Sequence, residues 1–171
     1  MSAGLAVQGE YIYSAQNGSA TSAKVLANPY DRNVTFSGKL FDLPLLRNVL
    51  TDTHFQVRDR MGRMIGFLAR LQKDGLAGTP RGIAVDENSS VGIDSTGHAQ
   101  LFGNGGGAWF FDTSTVSGTS VIAPRTPLTY AGVQVQRMVT GDTFDLNTWQ
   151  GTGATYTVSA TAGVLTPANP Y

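Results

Sequence analysis

Three short stretches of the sequence carry side chains that can cooperate in acyl transfer. Ser2-Ala3-Gly4 places a hydroxyl at the head of an apolar, small-residue stretch over residues 3–13, which predicts a short helix. A serine on a sharp turn into a helix can act as a nucleophile. Small neighbours let the backbone turn tightly, and the next N–H, that of Ala3, can donate to an oxyanion. The same serine can equally be a helix N-cap.

Asp52-Thr53-His54-Phe55 comes next, followed by Arg58, Arg60 and Arg63. The pattern puts an imidazole at the end of a predicted buried strand and three guanidinium groups at the mouth of a helix. Cations at a helix start oppose the macrodipole, which prefers anions there. A bound anion or nearby carboxylates would account for them. So would a partly buried histidine with surface arginines, some paired to Asp52 or Asp59. The third stretch, Gly82-Ile83-Ala84-Val85-Asp86-Glu87, closes a short apolar run with two adjacent carboxylates. An acid just beyond a strand end can orient a histidine, as in a catalytic triad. A solvated turn has the same composition, and for Asp86 that is the preferred reading.

The elements that must hold these residues are legible from periodicity. Residues 43–46 read as a turn leading into a short buried strand that ends near residues 52–54. Val57, Met61, Met64, Ile65, Leu68 and Leu71 recur at helical spacing and predict a helix over residues 57–73, stopped by Gly75, Gly78 and Pro80. Residues 14–27, rich in Ser, Ala and Asn, read as a loop. From residue 82 the texture changes. Residues 82–86, 90–94, 99–102, 108–111, 121–123, 132–139 and 155–159 are short apolar or alternating runs separated by turn residues, which predicts strands. No domain boundary is visible, so residues 1–171 are read as a single domain.

Composition narrows the function classes. Lys+Arg and Asp+Glu both number 12, so a basic footprint for nucleic acid or an anionic membrane is absent. With no cysteine and two histidines, a thiol nucleophile, a thiolate zinc site and a histidine-rich metal site are excluded, and no metal or other cofactor is expected. No apolar run approaches the roughly 18 residues of a membrane span. Residues 1–10 lack the basic and long apolar regions of a signal peptide, and the compartment stays open between cytoplasmic and secreted. The glycine run at residues 103–107 lacks the Lys-Ser/Thr and helix of a phosphate loop. His98 sits in a turn-strand segment with no acid or serine motif beside it and reads as structural or exposed.

Together, Ser-Ala-Gly, Asp-x-His-Phe-x-x-Arg-x-Arg-x-x-Arg and Gly-Ile-x-x-Asp-Glu resemble the cyanophycinase and aspartyl-dipeptidase family of serine peptidases. The likeness runs from Ser2 to about residue 113, and more weakly through Val135-Gln136-Arg137 and residues 141–146. It implies an α/β fold, a three-layer sandwich-like arrangement related to flavodoxin-like and class I glutamine amidotransferase-like domains, with a β-rich C-terminal region. It implies a chain that spans the family fold from the nucleophile onward. It implies a Ser-His-Glu triad of Ser2, His54 and Glu87, with the Ala3 N–H as one oxyanion donor. Asp52, Thr53, Arg58, Arg60 and Arg63 match positions that line or brace the substrate pocket, and Thr53 stands where the family usually has Gln. The expected substrate is a small acidic or β-aspartyl peptide, or an ester, and the expected state is a homo-oligomer. The other class of function in view is a non-catalytic subunit or half-site that assembles with a partner or with itself. Among the arginines, Arg63 is the first choice to meet substrate.

Overall fold

The computed structural model describes residues 3–171. In chain order its elements are α1 (Ala3–Ala6), β1 (Ile12–Tyr13), α2 (Ser22–Ala27), β2 (Phe36–Ser37), β3 (Val49–Thr53), α3 (Met61–Lys73), β4 (Arg81–Val85), β5 (Ser89–Ile93), β6 (His98–Gly103), β7 (Ala108–Asp112), β8 (Tyr130–Met138), β9 (Thr143–Asp145), β10 (Gln150–Gly151), β11 (Ala154–Thr161) and β12 (Val164–Thr166). The expected helix over 57–73 begins only at Met61, because turns occupy residues 54–60. The stretch read as a loop at 14–27 ends in α2, which Thr21 caps by accepting from the Lys24 N–H.

A six-stranded sheet in the order β12-β11-β8-β7-β4-β3 forms the centre. Only β3 and β4 pair in parallel, joined by the α3 crossover; the other neighbours pair antiparallel. The pleat sends alternate residues to two cores. Leu50, Ala84, Trp109, Phe111, Val133 and Val135 face α2 and α3. Val49, Ile83, Val85, Ala108, Phe110 and Met138 face the opposite way, with Leu5 of α1 and with Leu101 and Phe144 of a second sheet. That second sheet is antiparallel, in the order β10-β9-β6-β5.

The three-layer α/β sandwich expected from the family resemblance does not form. Helices cover one face of the central sheet, and the other face carries α1 and a four-stranded antiparallel sheet. Strand outweighs helix along the whole described chain and is not confined to a C-terminal region. The physical reason lies in connection length. A parallel neighbour needs a crossover of a dozen or more residues, usually helical, and only residues 54–80 supply one. Between the sheet neighbours β4 and β7, residues 86–107 form the β5–β6 hairpin and no helix, so the chain returns antiparallel.

α3 is nearly engulfed: Met61, Met64, Ile65, Phe67, Leu68 and Leu71 are all fully buried. Burying such a side chain contributes about 1.5–3 kcal/mol. Gly62 and Gly66, one helical turn apart, let α2 cross closely. A Cβ on Gly62 would collide with Leu26 and Ser22, and one on Gly66 with Val25. That close crossing brings the Ser22 hydroxyl to the Arg63 N–H at 3.1 Å, and so ties α2 to the first turn of α3.

Candidate functional site

β3 and β4 end side by side because they pair in parallel register, Thr53 opposite Val85. The residues that follow them therefore meet at one end of the sheet. His54 follows β3 and Glu87 lies two residues past β4. His54 Nδ1 and Glu87 Oε1 are 2.6 Å apart. The His54 side chain is 17% exposed and that of Glu87 44%. With Glu87 ionised, Nδ1 carries the proton that the carboxylate accepts, and Nε2 of the neutral ring keeps its lone pair. That is the tautomer a general base requires.

The backbone around His54 is held from several sides. Its φ of 47° is left-handed, an unfavourable region for a residue with a Cβ. Asp86 Oδ1 accepts from the N–H groups of Gln56 and Val57 at 3.1 and 3.2 Å. Asp86 is buried, so it braces the turn and is not the solvated acid that its sequence context suggested. Phe55 anchors the same turn beneath, fully buried, with its ring against Trp109, Phe111 and Tyr171. The glycine run forms the far wall: a Cβ on Gly105 would overlap the Glu87 carbonyl, and one on Gly106 the Asp86 carboxylate. These glycines are close-approach positions that seat the Asp86–Glu87 turn.

The arginines divide. Arg63 is buried and forks onto Asp52, Nε to Oδ2 at 2.7 Å and Nη2 to Oδ1 at 2.5 Å, with a further bond to the Ala20 carbonyl. Arg60 donates to the Thr53 carbonyl at 2.6 Å and to Asp52 Oδ1 at 3.2 Å. Burial pushes the Arg60 guanidinium pKa down, Asp52 opposes that shift, and the neighbouring Arg63 and Arg58 charges add to the lowering. Arg58 is exposed and, among the described residues, makes no ion pair. All three line one hollow of about 180 Å³ together with Ser19, Ala20, Thr21 and Ser22. Among the described residues Asp52 is the one carboxylate ion-paired to this group of arginines, so the hollow is cationic.

The start of α3 shows why these cations are tolerated. No side chain of residue 60 caps the helix. The Met61 N–H donates instead to the Tyr171 hydroxyl at 2.8 Å, and that hydroxyl donates to Asp59 at 2.9 Å. Asp52, from the neighbouring strand, supplies the anion that the helix start lacks in its own sequence.

Ser2 lies outside the described residues. Ala3, the proposed oxyanion donor, opens α1, and α1 rests against β3: Leu5 is buried and its carbonyl accepts from Thr51 Oγ1 at 2.6 Å. Thr53 is buried, bonded through its own N–H to Asp52 and through its carbonyl to Arg60. His98 stands apart, exposed on β6, with Nδ1 2.8 Å from the Thr96 hydroxyl. Sequence reasoning missed the structural part played by Asp86 and by Gly105 and Gly106. The glycine run was the available signal, read as a turn between strands and not as the seat of a carboxylate. No cluster of three or more potential metal ligands occurs among the described residues, and no helix there is long and apolar enough to cross a membrane. Comparison with protein-family models and with curated proteins gives no match to this chain.

Proposed function

We propose that this chain is a serine hydrolase of the cyanophycinase-like type, cleaving an amide or ester bond beside an acidic group. The observation that carries the reading is the His54–Glu87 contact of 2.6 Å across the ends of two parallel strands. In this reading Ser2 is the nucleophile. His54 Nε2 takes its proton and returns it to the leaving group, and Glu87 holds the imidazole in the basic tautomer. The Ala3 N–H supplies one oxyanion donor. The substrate class, an acidic or β-aspartyl peptide, is supported by the cationic hollow. Arg58 is the guanidinium left for a substrate carboxylate, and Arg60 and Arg63 brace Asp52 and the His54 turn. This reverses the first choice made from sequence, because Arg63 is already engaged on Nε, Nη1 and Nη2.

The test is covalent labelling with a fluorophosphonate probe. Labelling of the intact protein that disappears in both Ser2→Ala and His54→Ala supports the reading. Labelling that survives Ser2→Ala overturns it. A second reading, a subunit that acts through assembly with itself, is favoured by Leu40, Phe41 and Leu43, which are 65%, 50% and 40% exposed on one segment. Sedimentation analysis checks it, with a monomer at all concentrations as the opposing result.

A further inference from the structure

A second arginine system lies on the helix-facing side of the central sheet, on the other side of the glycine run that walls the His54 turn. Arg137 of β8 pairs with Trp109 of β7, Trp109 with Ala84 of β4, and Ala84 with Asp52 of β3. Arg137 and Asp52 therefore occupy one cross-strand row, three strand spacings or about 14 Å apart. At the Asp52 end two arginines share a carboxylate. At the other end, among the described residues, Arg137 has no carboxylate partner. Its Nη2 donates to the Gly106 carbonyl at 2.8 Å, and its Nε is buried without an acceptor. The guanidinium lies over the Trp109 ring, 5.4 Å from its centre.

This cation borders a pocket of about 320 Å³ between β8, β11 and the C-terminal segment, walled by Ala154, Tyr156, Pro167, Pro170 and Tyr171. The walls are ordered by contacts of their own. The Tyr156 hydroxyl donates to the Pro170 carbonyl at 2.6 Å, and the Tyr171 hydroxyl is held by Met61 and Asp59. Burial pushes the Tyr156 pKa up to about 12, and burial raises that of Tyr171 as well. Both phenols are thus neutral near pH 7, and neither neutralises Arg137. The Arg137 charge has no carboxylate partner among the described residues, and an anion in the pocket it borders would supply one. The flat tyrosine and proline walls suit a ring, and the volume is at the lower end of small-molecule pockets.

We propose that this pocket binds a small aromatic carboxylate, with Arg137 holding the carboxylate and Tyr156, Pro170 and Tyr171 enclosing the ring. The pocket shares Tyr171 with the support of the His54 turn, but the proposal does not rest on the hydrolase reading, and its test reads binding alone. Phenylacetate and its neutral counterpart phenylacetamide are titrated into the intact protein by calorimetry or NMR. Saturable binding of the acid, with the amide at least about tenfold weaker, is the expected result, as one charge-assisted contact is worth roughly that factor. Arg137→Gln should weaken the acid by about the same factor and leave the amide unchanged. Ala154→Leu, at the exposed rim and directly opposite Arg137 across β8 and β11, should block both compounds while keeping the guanidinium, and covers the case in which Arg137→Gln does not fold. Absence of saturable binding, equal affinity for acid and amide, or full binding in Ala154→Leu overturns the proposal.

Discussion

The two histidines of this chain are a natural comparison. Each has Nδ1 close to a side-chain oxygen, at 2.6 Å for His54 and 2.8 Å for His98. The partners differ in kind and in origin. His98 meets Thr96, two residues away, on an exposed strand of the smaller sheet. His54 meets Glu87, 33 residues away, at a half-buried sheet end reached only through the parallel pairing of β3 and β4. Asp94 also accepts from the Thr96 hydroxyl and the His98 N–H, but this local cluster is exposed, and an exposed strand cannot exclude water. His54 also holds a left-handed backbone, which costs roughly 1–2 kcal/mol. Such cost is offset only where the surroundings over-determine the conformation, as Asp86, Phe55 and Arg60 do here. The comparison teaches that what makes one histidine a candidate base is the long-range apparatus around it.

The sharpest way to break the comparison is to remove each ring in turn. His54→Ala should lower kcat for the proposed hydrolysis on the order of 10⁴-fold or more. Steady-state kinetics against the wild type checks this, and equal activity would end the triad reading. The apparatus itself is tested next. Asp52→Ala leaves Arg63 and Arg60 buried beside no carboxylate, and breaking a buried pair from one side costs about 3–5 kcal/mol. Denaturant unfolding should show that loss, whereas a surface-like loss of a few tenths would mean that Asp52 does not brace the site.

Glu87→Gln should reduce kcat by roughly 10²-fold, less than the loss of His54, since Glu87 orients the ring without transferring the proton. Stability should change little, because Glu87 is half exposed. Replacing the arginines one at a time separates substrate contact from bracing. Arg58→Met should raise KM for an acidic peptide about tenfold, with little effect on a neutral ester or on Tm. Arg60→Met and Arg63→Met should lower Tm along with activity. If all three keep the wild-type substrate preference, the hollow is ordinary solvated surface. The smallest effect belongs to His98→Ala: activity unchanged, and stability within about 0.5 kcal/mol of wild type. A large loss there would overturn the distinction between the two regions.

Several local features were readable before any coordinates. Helical spacing from Met61 to Leu71 marked α3, and alternation around Ala108–Phe111 and Val133–Val135 marked central strands. The start of α3 was misplaced because Val57 continues the helical spacing, whereas the bracing of residues 54–60 by Asp86 and the buried Phe55 is non-local. α2 was missed because six residues are too few to show a helical period, whatever their individual propensities. It exists through its contact with Gly62 and Gly66.

By itself the sequence determined the charge balance, the one long amphipathic helix, the strand-forming runs and the chemical types gathered around His54. Those depend on composition and short-range periodicity. Only tertiary structure decided that a second sheet covers the central one, that Asp86 braces a turn while Glu87 faces the histidine, and that Arg63 is engaged while Arg58 is free of ion pairs among the described residues. Adjacent carboxylates in a turn, and arginines five residues apart, are alike in every local respect. Which one is buried and which one meets a partner depends on strands and helices brought together from distant parts of the chain, and burial sets the strength of every charge pair that results.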